Sequence, residues 1–284
     1  MADRKKWLVV SVRPSSAAHT DAVTEGLLVL GGTAVQEANG ELTSYLPAPH
    51  DLDVWLALAT DALGSPFTWR WQEDEDWTQA WKHGLQPRRV GHNFIVAPSW
   101  TTPARRAGDR VIVIDPEMAF GTGEHATTRG ALRFIEQCTQ PGQRMLDVGS
   151  GSAILAIGAA LCGAAEVLAV ECDEDAILNA RDNIKRNRVE AVVRLETALV
   201  DAEFLRRHGD AAFDIVAANV LSGVLRPLLP AFHRSLKPDG SLILGGILEE
   251  EADDMIESAQ AAGFILMAED LEDEWWGGLL RRPE

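Results

Sequence analysis

The residues best suited to chemistry lie in Leu146-Asp147-Val148-Gly149-Ser150-Gly151-Ser152-Ala153-Ile154, where a buried strand runs into a glycine turn that opens a helix. Glycines at 149 and 151 remove side chains where a ligand must approach the backbone, and a helix amino terminus favours an anion. Glu171 ends the next apolar strand twenty-two residues after Gly149, where a carboxylate can grip two ribose hydroxyls. Both features fit either a nucleotide or an adenosyl ligand.

Three details separate those ligands. The dinucleotide fingerprint requires glycine at position 154, for close helix packing beside a pyrophosphate, and the residue here is Ile154. Asp147 stands just before the turn, where its charge opposes a pyrophosphate but can receive a methionine ammonium. The strand Phe213-Asp214-Ile215-Val216-Ala217-Ala218 ends in Asn219, a polar side chain at the carboxyl edge of the sheet, where such folds bind ligands. A turn or cap is the plainer role for Asn219. Together the details favour S-adenosylmethionine over a nicotinamide dinucleotide.

A second cluster precedes that turn: Asp115-Pro116-Glu117-Met118-Ala119-Phe120-Gly121-Thr122-Gly123-Glu124-His125-Ala126-Thr127-Thr128. Two glycines beside an aromatic suit a loop that closes over a ligand. Thr127 and Thr128 can open the following helix, and a hydroxyl there can hydrogen-bond a ligand. His125 is conceivable as a base, although a loop histidine is more often simply solvated. No metal is expected: Cys138, Cys162 and Cys172 have no metal-ligand spacing, and His19 and His50 lie in turn regions.

The elements that position these residues fall into two regimes. From residue 126 strands alternate with helical patterns, at 145–148, 167–170, 192–196, 213–218 and 241–244. Their continuous apolar character indicates burial on both faces, as in a parallel sheet covered by helices. Two further strands at 264–268 and 276–280 are too close for a parallel crossover and should be antiparallel, giving seven strands. Strands are also expected at 93–97 and 110–114. The first seventy residues read as strand 7–13, helix 15–30, strands 33–37 and 41–46 around Asn39-Gly40, helix 51–63 and strand 67–71. That βαββαβ order is ferredoxin-like. The predicted domains are therefore 1–72, a small ferredoxin-like α+β unit that binds a partner; 73–86, a linker helix carrying Trp77 and Trp81; and 87–284, a Rossmann-like α/β unit.

Composition narrows the partners. Acids outnumber bases 43 to 26 over 284 residues, a formal charge of −17 that repels phosphate backbones and attracts a basic protein. Nucleic acid is thus not expected as a direct partner. Eleven of those acids fall in 249–274 without a lysine or arginine, for which a solvated helix face is the commoner outcome than steering. Three cysteines suit a reducing compartment. The apolar run from Trp7 to Val12 is too short for a signal peptide, and the longest apolar stretch contains Gly158, Gly163 and Glu166. A cytoplasmic, membrane-free protein is expected.

The 115–128 cluster closely resembles the signature of bacterial ribosomal-protein methyltransferases of the PrmA type. The resemblance extends over Glu75-Asp76-Trp77 through Trp81-Lys82, Ala97-Pro98-Ser99-Trp100, Leu146 to Ile157, Ala218-Asn219-Val220-Leu221, Gly245-Gly246-Ile247-Leu248 and Glu274-Trp275, nearly the whole chain. It implies a class I, seven-stranded methyltransferase domain behind a ferredoxin-like domain that holds protein eleven of the large ribosomal subunit, a basic substrate. It also implies an enzyme that methylates lysine side-chain and amino-terminal amines; a monomer is expected, although the sequence does not itself reveal oligomeric state. S-adenosylmethionine is then held at Thr128, Gly149, Glu171 and Asn219, to which the reading of the glycine turn adds Gly151, and Asn219 is also expected to be catalytic by aiming the amine. Three residues depart from the family pattern: Glu117 and Ala153 replace glycines, and Glu171 replaces the commoner aspartate. Two other readings stand beside this one: an enzyme of the same fold acting on another protein or a small amine, and a cofactor-binding module without catalysis.

Overall fold

Leu8, Val10 and Val12 of strand Lys6–Val12 (β1) fall on one side of the strand and are fully buried. They meet Val23 and Leu27 of helix Ala17–Val29 (α1) and Trp55, Ala59 and Leu63 of helix Leu52–Leu63 (α2), in a core completed by Leu42 and Leu46 of strand Glu41–Pro47 (β3). Asp51 starts α2 by accepting the N–H groups of Asp53 and Val54 at 3.0 and 3.1 Å, and Gly64 ends it at φ 56°. With Val35–Ala38 (β2) and Phe67–Glu73 (β4), the four strands form an antiparallel sheet in the order β2-β3-β1-β4, a ferredoxin-like unit.

The computed structural model describes residues 6–14, 17–32, 35–38, 40–49, 51–73, 85–115 and 121–284. The expected linker helix, with Trp77 and Trp81, lies outside the described residues, as do Asn39, His50 and Glu117. The chain divides into two units, Met1–Leu85 and Gln86–Glu284.

The second unit begins with a small sheet of Arg88–Val90 (β5), Phe94–Ala97 (β6) and Arg110–Val113 (β7), of which β5 was not anticipated because three residues carry no periodicity. Seven strands follow: Arg144–Val148 (β8), Glu166–Glu171 (β9), Val193–Thr197 (β10), Phe213–Asn219 (β11), Leu236–Leu248 (β12), Ile265–Glu272 (β13) and Trp275–Arg281 (β14). Their order is β10-β9-β8-β11-β12-β14-β13, with β14 antiparallel to both neighbours. The helices are Ala126–Cys138 (α3), Ile154–Cys162 (α4), Glu174–Arg186 (α5), Ala202–His208 (α6), Ser222–Ser235 (α7) and Ala252–Ala261 (α8).

Alternate residues of the strands serve opposite cores, which explains their continuous apolar runs. Met145, Val167, Ala169, Ile215 and Ala217 face α3, α4 and α5, while Leu146, Leu168, Val170 and Val216 face α6, α7 and α8. Because β9 and β10 extend to one side of β8 and β11 to the other, a crevice opens at the carboxyl ends of β8 and β11.

The final hairpin is tied to α3 by charge. Arg133 reaches Asp270 and Glu272 at 2.5 and 2.6 Å, and Arg129 bonds Glu272 and the carbonyl of Glu124. The two guanidinium groups hold the Glu272 carboxyl below its ordinary pKa, Arg129 contributing most. Replacing Glu272 strands the nearly buried Arg129 guanidinium without its carboxylate. Glu272→Ala is therefore expected to destabilise the protein by about 2 kcal/mol, read as a lower urea midpoint at unchanged slope.

Candidate active site

The glycine turn is held entirely through its backbone. Gly149 and Ser150 donate to the Val170 carbonyl at 2.9 and 3.0 Å, and Gly149 and Gly151 adopt φ 66° and 51°. A Cβ on Gly149 would lie 2.6 Å from Val220 Cγ1. Glu171 closes the turn from β9: its Oε2 accepts the Gly151 N–H at 2.9 Å, and its Oε1 accepts those of Cys172 and Asp173 at 2.8 and 3.1 Å. Ala153 is fully buried at φ 64°, the left-handed region its expected glycine would enter freely; the alanine costs about 1–2 kcal/mol there without blocking the turn.

The preceding loop is fastened onto the turn. Ser152 Oγ donates to the Gly121 carbonyl at 2.6 Å, and Asn183 Nδ2 to the Ser152 carbonyl at 3.2 Å. Asp115 accepts the N–H and hydroxyl of Ser99 and pairs with Arg186 at 3.1 Å, so the acid that opens the cluster is a brace. His125 is not a merely solvated loop residue: its Nδ1 lies 2.8 Å from Thr127 Oγ1, and its ring meets Trp275 edge-on at 4.8 Å. Thr128 is fully buried, its Oγ1 without a partner among the described residues.

Asn219 ends β11 with a buried Oδ1 that likewise has no partner among the described residues. That oxygen and the Thr127 carbonyl converge on Gly245, where a Cβ would lie 2.6 and 3.6 Å from them. Gly246, at φ 77°, lets its backbone pass against Val220: a Cβ there would come within 2.7 Å of the Val220 carbonyl oxygen.

These elements enclose a cavity of about 490 Å³ at the carboxyl edge of the sheet. Gly149, Gly151, Glu171 and Asn219 all line it, as does Thr127, whereas Thr128 does not. Most of the wall is apolar, from Val148, Val170 and Val200 within to Leu199, Leu221 and Val224 at exposed positions. Such a cavity, with a carboxylate and a side-chain carbonyl as its polar points, suits a largely apolar ligand that donates hydrogen bonds. Cys172 also lines it, but burial first and then the adjacent Glu171 charge push its thiol pKa up, which argues against a thiolate nucleophile. Among the described residues no group of three or more His, Cys, Asp or Glu could hold a metal, and no helix is long and apolar enough to cross a membrane.

Sequence reasoning missed the roles of Gly246, Leu199, Leu221, Val224 and Trp275. Gly246 carried a usable signal, a glycine immediately after the strand that follows Asn219. The exposed leucines carried none, because only the crevice gives them a shared surface.

The family model for "Ribosomal protein L11 methyltransferase (PrmA)" matches residues 9–282. The ribosomal protein L11 methyltransferase of Symbiobacterium thermophilum is 40% identical over 232 residues, covering 82% of this chain and 74% of the relative. That of Streptococcus mutans is 34% identical over 245 residues, covering 82% and 76%. A crystal structure of the ribosomal protein L11 methylase from Lactobacillus delbrueckii subsp. bulgaricus superposes with a TM-score of 0.62 at 27% identity, over 70% of this chain and 99% of that one.

Asp147 takes a place the sequence did not indicate. It is 1% exposed and absent from the cavity wall, and its Oδ2 caps α4 by accepting the Ala156 N–H at 3.0 Å. Its Oδ1 has no partner among the described residues. Burial pushes its pKa up to about 7, opposed by that N–H and aided by the Glu171 charge. The folded state therefore holds this proton above the unfolded pKa, so its contribution to stability is present in acid and lost as pH rises towards 7. Relative to Asp147→Asn, the parental protein should lose about 2 kcal/mol of stability between pH 5 and pH 8, measured by urea unfolding at both.

Proposed function

Because the chain belongs to the ribosomal protein L11 methyltransferase (PrmA) family, we propose that it methylates amines of ribosomal protein L11, at lysine side chains and the amino terminus, with S-adenosylmethionine as donor. The observation that carries this reading is the apolar cavity whose buried polar points accept hydrogen bonds. The residues present fit the donor: Glu171 would hold the ribose hydroxyls, Gly149 and Gly151 would let it approach the backbone, and the unpartnered Asn219 Oδ1 at the cavity, with Thr128 Oγ1 next to the lining Thr127 in the chain, would accept hydrogen bonds. When bound, S-adenosylmethionine supplies an electrophilic methyl on a good leaving group, leaving alignment and a neutral nucleophile to the protein.

A lysine amine has a pKa of about 10.4, so neutralising it at pH 7 costs roughly 4–5 kcal/mol. The apolar walls reduce that cost by disfavouring the charged form. Asn219 Oδ1 accepts an amine hydrogen and aims the lone pair, and the proton leaves to water. The first unit holds L11, and the net charge of −17 draws a basic partner and repels nucleic acid. The protein acts as a cytoplasmic monomer in this reading.

Incubation of the purified chain with radiolabelled S-adenosylmethionine and L11 tests the proposal, the expected result being label on L11 amines. Label only on other proteins or on small amines would favour a different substrate, and tight donor uptake without any transfer would favour a binding module. Asn219→Ala is expected to lower kcat by about 10²-fold, more than it weakens donor binding. Calorimetry on Glu171→Ala should show donor affinity reduced at least about tenfold, through loss of the ribose hydrogen bonds and of the clasp on Gly151.

A further inference from the structure

Methyl transfer to nitrogen changes what the site must hold. Each transfer replaces one N–H by N–CH3 and releases one proton, so the amine loses hydrogen-bond donors while its protonated or fully substituted form stays cationic. Asn219 Oδ1 grips an amine only through those donors. A ring face keeps its attraction for the cation whether the shell is N–H or methyl, and indole is the strongest of the ring faces.

The cavity has an aromatic wall of that kind. Trp275 opens β14 and lines the cavity together with His125, whose ring meets it at 4.8 Å with the planes 65° apart. His125 is itself braced by Thr127 Oγ1 at 2.8 Å, and Thr127 lines the same space. Trp275 is fixed from behind: it pairs with Leu248 across the sheet, and the Glu249 N–H donates to the Glu274 carbonyl at 2.9 Å. Asn219 and Gly246 line the same cavity, so the acceptor oxygen and the aromatic pair address one space.

We propose that the Trp275 indole, backed by the His125 ring, retains the cationic ammonium that each transfer leaves until it gives up its proton, and so decides whether an amine that already carries a methyl stays for another. The proposal rests on the methyl-transfer reading above and adds a division of labour to it. Asn219 serves the first transfer, when donors are plentiful, and Trp275 serves the later ones, when methyl groups have replaced them. His125 is a positioning residue, acting through the ring contact.

Two measurements on the full chain test it. Tetramethylammonium, which offers charge and methyls but no donor, is titrated calorimetrically into the parental protein, Trp275→Leu and Trp275→Phe. Affinity should fall about tenfold in Trp275→Leu and return to within about threefold of parental in Trp275→Phe. Mass spectrometry of L11 turned over by the same proteins should show Trp275→Leu accumulating monomethylated amines, with the first transfer slowed less than about threefold and later transfers slowed more than tenfold. Trp275→Phe should restore the ladder. Unchanged tetramethylammonium affinity and an unchanged ladder in Trp275→Leu would overturn the proposal. So would equal loss of the first transfer and of donor uptake in both variants, since that marks a wall needed only for shape. A parental protein that transfers no methyl at all would defeat the underlying reading instead, and tetramethylammonium binding would still decide the role of the wall.

Discussion

A turn that presents bare backbone to a cavity must be fixed largely by other elements, and much of the second unit is arranged around that constraint. The glycines at 149 and 151, which line the cavity, contribute no side chain to fixing the turn. It is fixed from outside instead. Glu171 clasps it from β9, Asp147 caps the helix it opens, and Ser152 is tied to Gly121 in the loop before α3. Each brace comes from a different element, so the pairing of β8 with β9 and the docking of the preceding loop are what hold the turn.

This arrangement divides the acids of the site by what surrounds them. Glu171 keeps both oxygens in hydrogen bonds to N–H groups while still lining the cavity. Asp147, two residues before the turn, is sealed from solvent with one oxygen unpartnered, and burial raises its pKa. Two carboxylates at the edge of one sheet thus serve different ends, one facing the cavity and one holding the helix. Their sequence neighbourhoods give no hint of which is which.

The parts of the site that were legible in the sequence are those with a short-range signature. The strand–glycine–helix segment, the acid at the end of the next strand and the asparagine closing a buried strand each appear within a few residues, and the structure brings Gly149, Gly151, Glu171 and Asn219 to one cavity. The count of seven strands and the antiparallel last pair followed from spacing alone, because a connection with no helical length forbids a parallel crossover, whereas the order of the strands was not legible there. What could not be read depends on pairs far apart in the chain. His125 and Trp275 touch across 150 positions, and neither neighbourhood announces the other. The inward turn of Asp147 depends on an exposed N–H at the start of α4, a matter of helix-end geometry rather than of residue type. Glu272 is an acid among acids in sequence, distinguished only by the two arginines that α3 presents to it.

The position of β14 has a temporal consequence. It lies between β12 and β13, although it follows both in the chain. During synthesis β12 and β13 leave the ribosome before the strand that must separate them, so β12 has only β11 beside it and β13 has no neighbour until Trp275–Arg281 has emerged. Trp275 therefore joins the wall of the cavity after the glycine turn, Glu171 and Asn219 have all been made. A nascent chain lacking that strand carries most of the cradle but not its aromatic side, and maturation of the catalytic pocket is coupled to one of the last pairing events of folding.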